Sequence, residues 1–195
     1  MRHTTKLILL ILMSWAGCHQ SPVQNNTISH SEYVVYSAIV NELFNEYETI
    51  VVHDSSIQKS RIGNLKYRTK AGEWVESTDW ERIAYMWPEL DLTEFRSSYE
   101  QQNSTKSVFD AKLFKAVREI QILRFQDTLK GIDEDVQQQK VIISFSRVAF
   151  ANEGTRALVY LEYYCGHLCA AGNWVLLSRQ DTTWTVVKRL QTWVS

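Results

Sequence analysis

The sequence has little proline, little cysteine and no apolar run long enough to cross a membrane. Two prolines and three cysteines occur among 195 residues, and the net charge is −1. The apolar run Leu7 to Met13 is far shorter than the roughly 20 residues that a membrane-spanning helix needs. This composition excludes a collagen-like fibre, a multi-span membrane protein and a protein that binds nucleic acid through excess basic charge.

The N-terminus resembles the signal peptide of a bacterial lipoprotein. Residues 1–6 carry two basic side chains and no acidic one, and the apolar run that follows leads to Ala16-Gly17-Cys18. A basic start, a short apolar run and small residues before a break are the parts of a secretory signal. Ala-Gly before the cysteine matches the lipobox, although Trp15 stands where leucine is usual. We therefore expect lipid on Cys18, with a plain secreted protein and an uncleaved cytosolic N-terminus as the alternatives.

The remainder of the chain is expected to be a short tether and one globular domain. Apolar residues make up 45% of the sequence and charged residues 22%, the usual balance of such a domain. We assign residues 1–17 to the signal peptide, 18–30 to a polar tether and 31–195 to the domain. The lipid on Cys18 would hold this domain at a membrane of the bacterial envelope, on its periplasmic or cell-surface side.

Apolar spacing predicts helices in the first half of the domain. A stripe with a period of four residues predicts a helix over 32–47, with Ser31 as its N-cap. Further helices are predicted over Asp79 to Met86, from Asp91 onward, and over Ser107 to Ile120. The β-branched run Thr49 to His53 predicts a strand.

The last third of the sequence is typical of an antiparallel meander. A polar surface loop at 131–140 precedes four predicted strands, at 141–150, 156–165, 173–178 and 184–193. Their connections are expected at 152–154, 166–172 and 180–183. The predicted fold class is α+β, with N-terminal amphipathic helices packed on a C-terminal antiparallel β-meander.

The same region carries five short motifs in a fixed order. They are Ser146-Arg-Val-Ala-Phe150, Ala157-Leu-Val-Tyr160, Cys165-Gly-His-Leu-Cys169, Trp184-Thr-Val-Val187 and Trp193-Val-Ser195. In these motifs the chain resembles a family of uncharacterised bacterial secreted proteins and lipoproteins. The resemblance covers most of the chain after Cys18, and no activity is established for that family, so it implies no catalytic residues.

Cys165 and Cys169 are four residues apart, and this close pair is the most specific short motif in the sequence. In an exported protein, two cysteines this close favour a disulfide, and Gly166 would help the chain to curl between them. Two reduced, packed thiols are an alternative, and a metal site that adds His167 is another. Zinc requires a second, distant pair of ligands, which the sequence does not offer, so we predict no metal.

Two further groups of residues are candidates for chemistry. A thiol nucleophile would pair Cys165 or Cys169 with His53 and Asp54, the only adjacent His and Asp in the chain. Strand alternation places Glu162 on one face with Leu158, Tyr160 and Tyr164, as a pocket residue or as a partner of Arg147 or Arg156. The aromatic strand residues are expected to pack in the core, or to line a face that holds a sugar, a lipid or a peptide.

These observations favour a membrane-anchored binding or accessory domain without enzymatic activity. The sequence holds no glycine-rich nucleotide loop, no H-E-x-x-H and no G-x-S-x-G, so no cofactor is expected. The alternatives are an envelope hydrolase or transferase that uses a site near Cys165 or Glu162, and a structural envelope lipoprotein. The expected partners are the membrane, through Cys18, and a protein or small-molecule ligand.

Overall fold

The computed structural model describes residues 27–58, 65–68, 73–124 and 140–195, with the backbone alone at 65–68 and 74–76. The predicted signal peptide, Cys18, residues 18–26 of the tether and most of the predicted loop at 131–140 lie outside these ranges. The described helices are α1 (His30–Leu43), α2 (Asp79–Met86) and α3 (Leu92–Gln102). The described strands are β1 (Thr49–His53), β2 (Leu65–Arg68), β3 (Trp74–Ser77), β4 (Glu119–Leu123), β5 (Lys140–Phe145), β6 (Ala149–Ala151), β7 (Arg156–Gly166), β8 (Cys169–Gln180) and β9 (Thr183–Val194).

Seven of these strands form one mixed sheet, so the α+β class predicted from the sequence is confirmed. The strand order is β4-β1-β5-β7-β8-β9, and β6 pairs with β7 beside this path. Strand β1 runs parallel to both β4 and β5, whereas β5, β7, β8 and β9 are antiparallel neighbours. The antiparallel strands are therefore part of a larger sheet that β1 and β4 extend. Strands β2 and β3 form a separate antiparallel pair.

Helix α1 contributes to the core on one face of the sheet, here called the first face. Its buried residues include Tyr36, Ile39 and Val40, which share a core cluster with alternate residues of the sheet strands, including Val159 and Leu161 of β7. The N-cap of α1 is Ser29 rather than Ser31, because Ser29 accepts from the Glu32 amide and its own amide donates to the Glu32 carboxylate.

Helices α2 and α3 contribute to a second core cluster on the opposite face, here called the second face. Ile83 of α2 and Phe95 and Tyr99 of α3 share this cluster with sheet residues that include Tyr160 and Trp174. Each face of the sheet thus carries a packed core, which explains why both alternating sets of residues along β7 and β8 are largely apolar. None of the helices in the described ranges is both long and apolar enough to cross a membrane.

The helix predicted over Ser107 to Ile120 is wrong. This segment is extended, apart from one 3-10 turn at Ala111–Leu113, and it ends in β4. Polar side chains of α1 bind the backbone groups that a helix would pair internally. The Lys115 amide donates to Ser37 Oγ at 2.8 Å, and the Val117 amide donates to Asn41 Oδ1 at 2.9 Å. The apolar spacing instead buries Phe109 and Phe114 beneath α1.

Two predicted boundaries in the C-terminal third also change. The strand predicted over 141–150 is interrupted between Phe145 and Ala149, because the Arg147 amide donates to Asn103 Oδ1 at 2.7 Å rather than to a neighbouring strand. The loop predicted at 166–172 is shorter, since β8 begins at Cys169. Leu168 turns the chain there with a positive φ of 57°.

Residues Thr27 to Ser29, which the sequence placed in the tether, contact the domain. Ile28 is 4% exposed and belongs to the core beneath α1. The Thr27 carbonyl accepts a hydrogen bond from Arg147, and Ser29 caps α1. The packed part of the chain therefore extends to Thr27, nine residues after Cys18.

Candidate functional site

Four neighbouring strands bring a row of side chains together on the second face. The register pairs Ser144 of β5 with Glu162 of β7, Glu162 with Gly172 of β8, and Gly172 with Trp193 of β9. The residues that flank this row along β5 and β7 are in the first-face core, so alternation directs Ser144 and Glu162 to the second face. We call Ser144, Glu162, Gly172 and Trp193, together with His53, the second-face row.

His53 continues the row on β1. It follows Val52, which pairs with Ile143, so it lies beside Ser144 at the end of the parallel ladder. His53 and Ser144 line a small cavity of about 50 Å³, whose other lining residues are Ser55, Ser56, Ile57, Gln58 and Lys106. With a strand spacing of about 4.8 Å, the row from His53 to Trp193 spans roughly 19 Å.

A chain of hydrogen bonds fixes the Trp193 end of the row. Trp193 Nε1 donates to the Tyr160 hydroxyl at 3.0 Å, and that hydroxyl donates to Glu162 Oε1 at 3.2 Å. Burial raises the pKa of Tyr160 to about 12, and the charge of Glu162 acts in the same direction, against the lowering effect of the hydrogen bond from Trp193. The phenol therefore remains protonated at neutral pH and can donate to the carboxylate.

Gly172 makes room for this arrangement. A Cβ atom at position 172 would collide with the pyrrole side of the Trp193 indole and with the Tyr160 hydroxyl. The indole thus lies against bare backbone, and 36% of Trp193 stays exposed to solvent. Tyr164, two residues beyond Glu162 on the same strand face, is 40% exposed. This end of the row consequently offers aromatic surface beside a half-buried carboxylate.

Cys165 and Cys169 form a disulfide that closes the adjacent β7–β8 turn, as the sequence favoured. Their Cα atoms are 5.2 Å apart, a separation that suits a bridge. Three alternatives need free sulfurs: two reduced, packed thiols, a thiol nucleophile paired with His53 and Asp54, and a metal site with His167. None of the three fits a structure in which the two sulfurs are bonded to each other. In the described ranges, no group of three or more His, Cys, Asp or Glu side chains is arranged to hold a metal ion.

Of the alternatives that the sequence left open for Glu162, a pairing with Arg147 does not occur in the structure. Arg147 lies between β5 and β6 and pairs with Glu32 of α1, at 2.6 Å from Nε to Oε1 and 2.8 Å from Nη2 to Oε2. Arg156 begins β7, at the opposite end from the disulfide. The hydrogen bond that the structure gives to the Glu162 side chain comes from Tyr160 instead.

A second acidic residue, which sequence reasoning missed, lies on the same side of the sheet. Asp79 is the first residue of α2 and is 5% exposed. Burial raises the pKa of its carboxyl, opposed by the Trp174 indole N–H and by the charge of Arg82. Within the described part of the chain, Asp79 Oδ1 and Trp174 Nε1 have no hydrogen bond of normal geometry, so the indole acts at longer range. The capping box Thr78-x-x-Glu81 was the available signal for this position.

The row acts through side chains, because the backbone groups of its central strands are paired in the sheet ladders. It presents an indole face, a carboxylate, a hydroxyl and an imidazole in one line. Comparison of the chain with protein-family models, curated proteins and solved structures finds no match in any of the three.

Proposed function

We propose that the protein is an exported domain, held at a membrane by lipid on Cys18, that binds a ligand at the second-face row. The observation that carries this proposal is the braced Trp193 indole. A ring that is exposed yet fixed by a hydrogen bond to Tyr160 loses little side-chain freedom when a ligand covers it. The N-terminal helices packed on the C-terminal meander serve in this proposal as the rigid support of the row.

Two features support export and anchoring. The Cys165–Cys169 disulfide suits an oxidising compartment such as the bacterial periplasm or cell surface. Thr27, where the described domain begins, is the ninth residue after Cys18, and a fully extended chain of nine residues spans about 30 Å. The row would then operate within a short distance of the membrane surface.

The test of anchoring is the intact mass of the protein recovered from host membranes and alkylated without reductant. We expect a chain that begins at Cys18 with two or three acyl groups and with Cys165 and Cys169 unlabelled. The same sample should take two labels after reduction, which shows that both thiols are reachable. A Cys18→Ser variant should leave the membrane fraction. A wild-type chain that keeps Met1 and carries no acyl group would overturn the proposal.

An envelope hydrolase or transferase is the second candidate, favoured by the two carboxyl groups on this side of the sheet. A carboxyl whose pKa is raised by burial, as at Asp79, can act as a general acid, and a second carboxyl, as at Glu162, can act as a base. Catalysis predicts that a bound substrate is converted to product. Binding predicts that the same molecule is recovered unchanged.

A further inference from the structure

We propose that the second-face row is a carbohydrate site that takes a chain of about three or four sugar units laid across the strands. This inference rests on the proposed binding function and names the ligand class of the same site. In this proposal one sugar ring stacks on Trp193, and the next sugar units of the chain lie over Glu162 and Ser144.

The aromatic end of the row has the chemistry that sugars require. Trp193 Nε1 is already hydrogen-bonded to Tyr160, so the indole offers a ligand its ring surface rather than its N–H. The face of a pyranose ring carries C–H groups of partial positive charge, which are attracted to the negative face of an aromatic ring. Gly172 beneath the indole leaves room for that ring to lie against the sheet.

The polar groups of the row match sugar hydroxyls. Glu162 accepts a bond from Tyr160 through Oε1, and its half-buried carboxylate has further acceptor capacity for a ligand hydroxyl. A hydroxyl that donates to a carboxylate forms a charge-assisted bond of about twice the usual strength. Ser144 and His53 add groups that can donate or accept farther along the same line.

The spacing of the row also fits an oligosaccharide. Adjacent strands are about 4.8 Å apart, close to the advance of about 5 Å per sugar unit in an extended chain. Three strand intervals separate Ser144 from Trp193, and His53 adds a fourth. Along this line β5, β7 and β9 therefore present the Ser144, Glu162 and Trp193 side chains to such a ligand, while Gly172 of β8 leaves room for the indole.

A peptide or a lipid fits the row less well. An extended peptide needs partners for its own N–H and C=O groups, but the central strands of this face have theirs paired in the ladders. An acyl chain over Glu162 would remove water from an ionised carboxylate without supplying a hydrogen bond. A sugar offers an apolar ring face to Trp193 and hydroxyl groups to Glu162 and Ser144, so it matches both the aromatic and the polar residues of the row.

The test is calorimetric titration of the mature, lipidated protein with chitotetraose, cellotetraose and maltotetraose, in a detergent without a sugar head group. We expect at least one to bind. Trp193→Ala should weaken that binding by about tenfold or more, since it removes the stacking surface. Trp193→Phe should restore most of the loss, and Glu162→Gln should weaken binding while preserving shape. Tyr85→Ala is the matched control, because it removes an aromatic residue that is 83% exposed on α2, outside the row.

The outcomes separate this inference from the proposed function. Failure of a correctly lipidated protein to bind any of the three sugars would overturn the carbohydrate site and leave anchoring intact. Equal binding by wild type, Trp193→Ala and Glu162→Gln, with near-ultraviolet circular dichroism showing that all are folded, would also overturn it. Recovery of shortened oligosaccharides would keep the ligand class and replace the binding function with that of a hydrolase.

Discussion

At the scale of single residues, Arg147 and Glu32 form a buried ion pair that joins the start of α1 to the gap between β5 and β6. Their side chains are 8% and 2% exposed. Glu32 also accepts from the Val148 amide at 3.2 Å, and Arg147 Nη1 donates to Ser107 Oγ at 2.7 Å. Burial alone would lower the pKa of Arg147, but the hydrogen bonds and charge of Glu32 raise it, so the guanidinium remains charged.

We expect Arg147→Ala to destabilise the protein by about 3–5 kcal/mol, because it leaves the Glu32 carboxylate buried without its counter-charge. Urea unfolding measures this loss. The double variant Glu32→Gln/Arg147→Met should recover part of the stability, since it removes both charges. Arg96→Ala is the control, as Arg96 pairs with Glu100 on the exposed surface of α3. Equal losses for the Arg147 and Arg96 variants would contradict the role given to the buried pair.

The raised pKa of the Asp79 carboxyl predicts the direction in which folding stability changes with pH. Its pKa in the folded protein is raised above the ordinary value of 3.8, so the folded state binds a proton that the unfolded chain releases. Stability therefore falls as pH rises through the interval between those two values. We expect Asp79→Asn to be close to wild type in stability below about pH 3.8 and more stable than wild type above the folded pKa.

Thermal unfolding at pH 3 to 8 measures this difference. Asp91→Asn is the opposite control, because the Asp91 carboxylate accepts from the Thr93 amide and its pKa is lowered. That variant should match wild type at low pH and be less stable at neutral pH. A variant Asp79→Asn that is less stable than wild type at pH 7 would show that the ionised carboxylate is stabilised by α2 and Trp174 beyond the effect of burial.

At the scale of elements, local signals were sufficient where neighbouring residues determine the structure. The strand predicted at Thr49–His53 and the helix at Asp79–Met86 have the bounds expected from the sequence. A capping box begins α2, and Pro88 follows its end. The helix predicted over residues 107–120 was wrong because the side chains that bind this backbone, such as those of Ser37 and Asn41, lie more than 70 residues away on α1.

The candidate site was predictable only in part for the same reason. Alternation along β7 correctly placed Leu158 and Tyr160 on one face and Val159 and Leu161 on the other. The alignment of Ser144, Glu162, Gly172 and Trp193 depends on the register of strand pairs, and the position of His53 depends on a parallel pairing with β5. Sequence periodicity contains no direct information on register between distant strands.

At the scale of the whole molecule, helices from both faces of the sheet contact the same strand, β9. This strand lies at one end of the described strand order, next to β8. From α1, Glu42 Oε2 accepts from the Val186 amide at 3.0 Å. From α2, Arg82 donates to the carbonyls of Gln191 and Thr192 at 2.8 and 3.0 Å. A long edge strand is a template for pairing with a second chain, and these contacts occupy one amide and two carbonyls of β9.

We expect the double variant Glu42→Ala/Arg82→Ala to self-associate more strongly than wild type, because it frees an amide and two carbonyls of β9 while leaving the net charge unchanged. Sedimentation velocity at rising protein concentration measures the effect. The matched control is Arg96→Ala/Glu100→Ala, which likewise removes one positive and one negative charge, here from an exposed pair on α3. Identical sedimentation of both double variants and wild type would show that Glu42 and Arg82 do not protect the edge. Stronger association of the Glu42 and Arg82 variant alone would show that helices on opposite faces of the sheet together keep β9 from pairing with another copy.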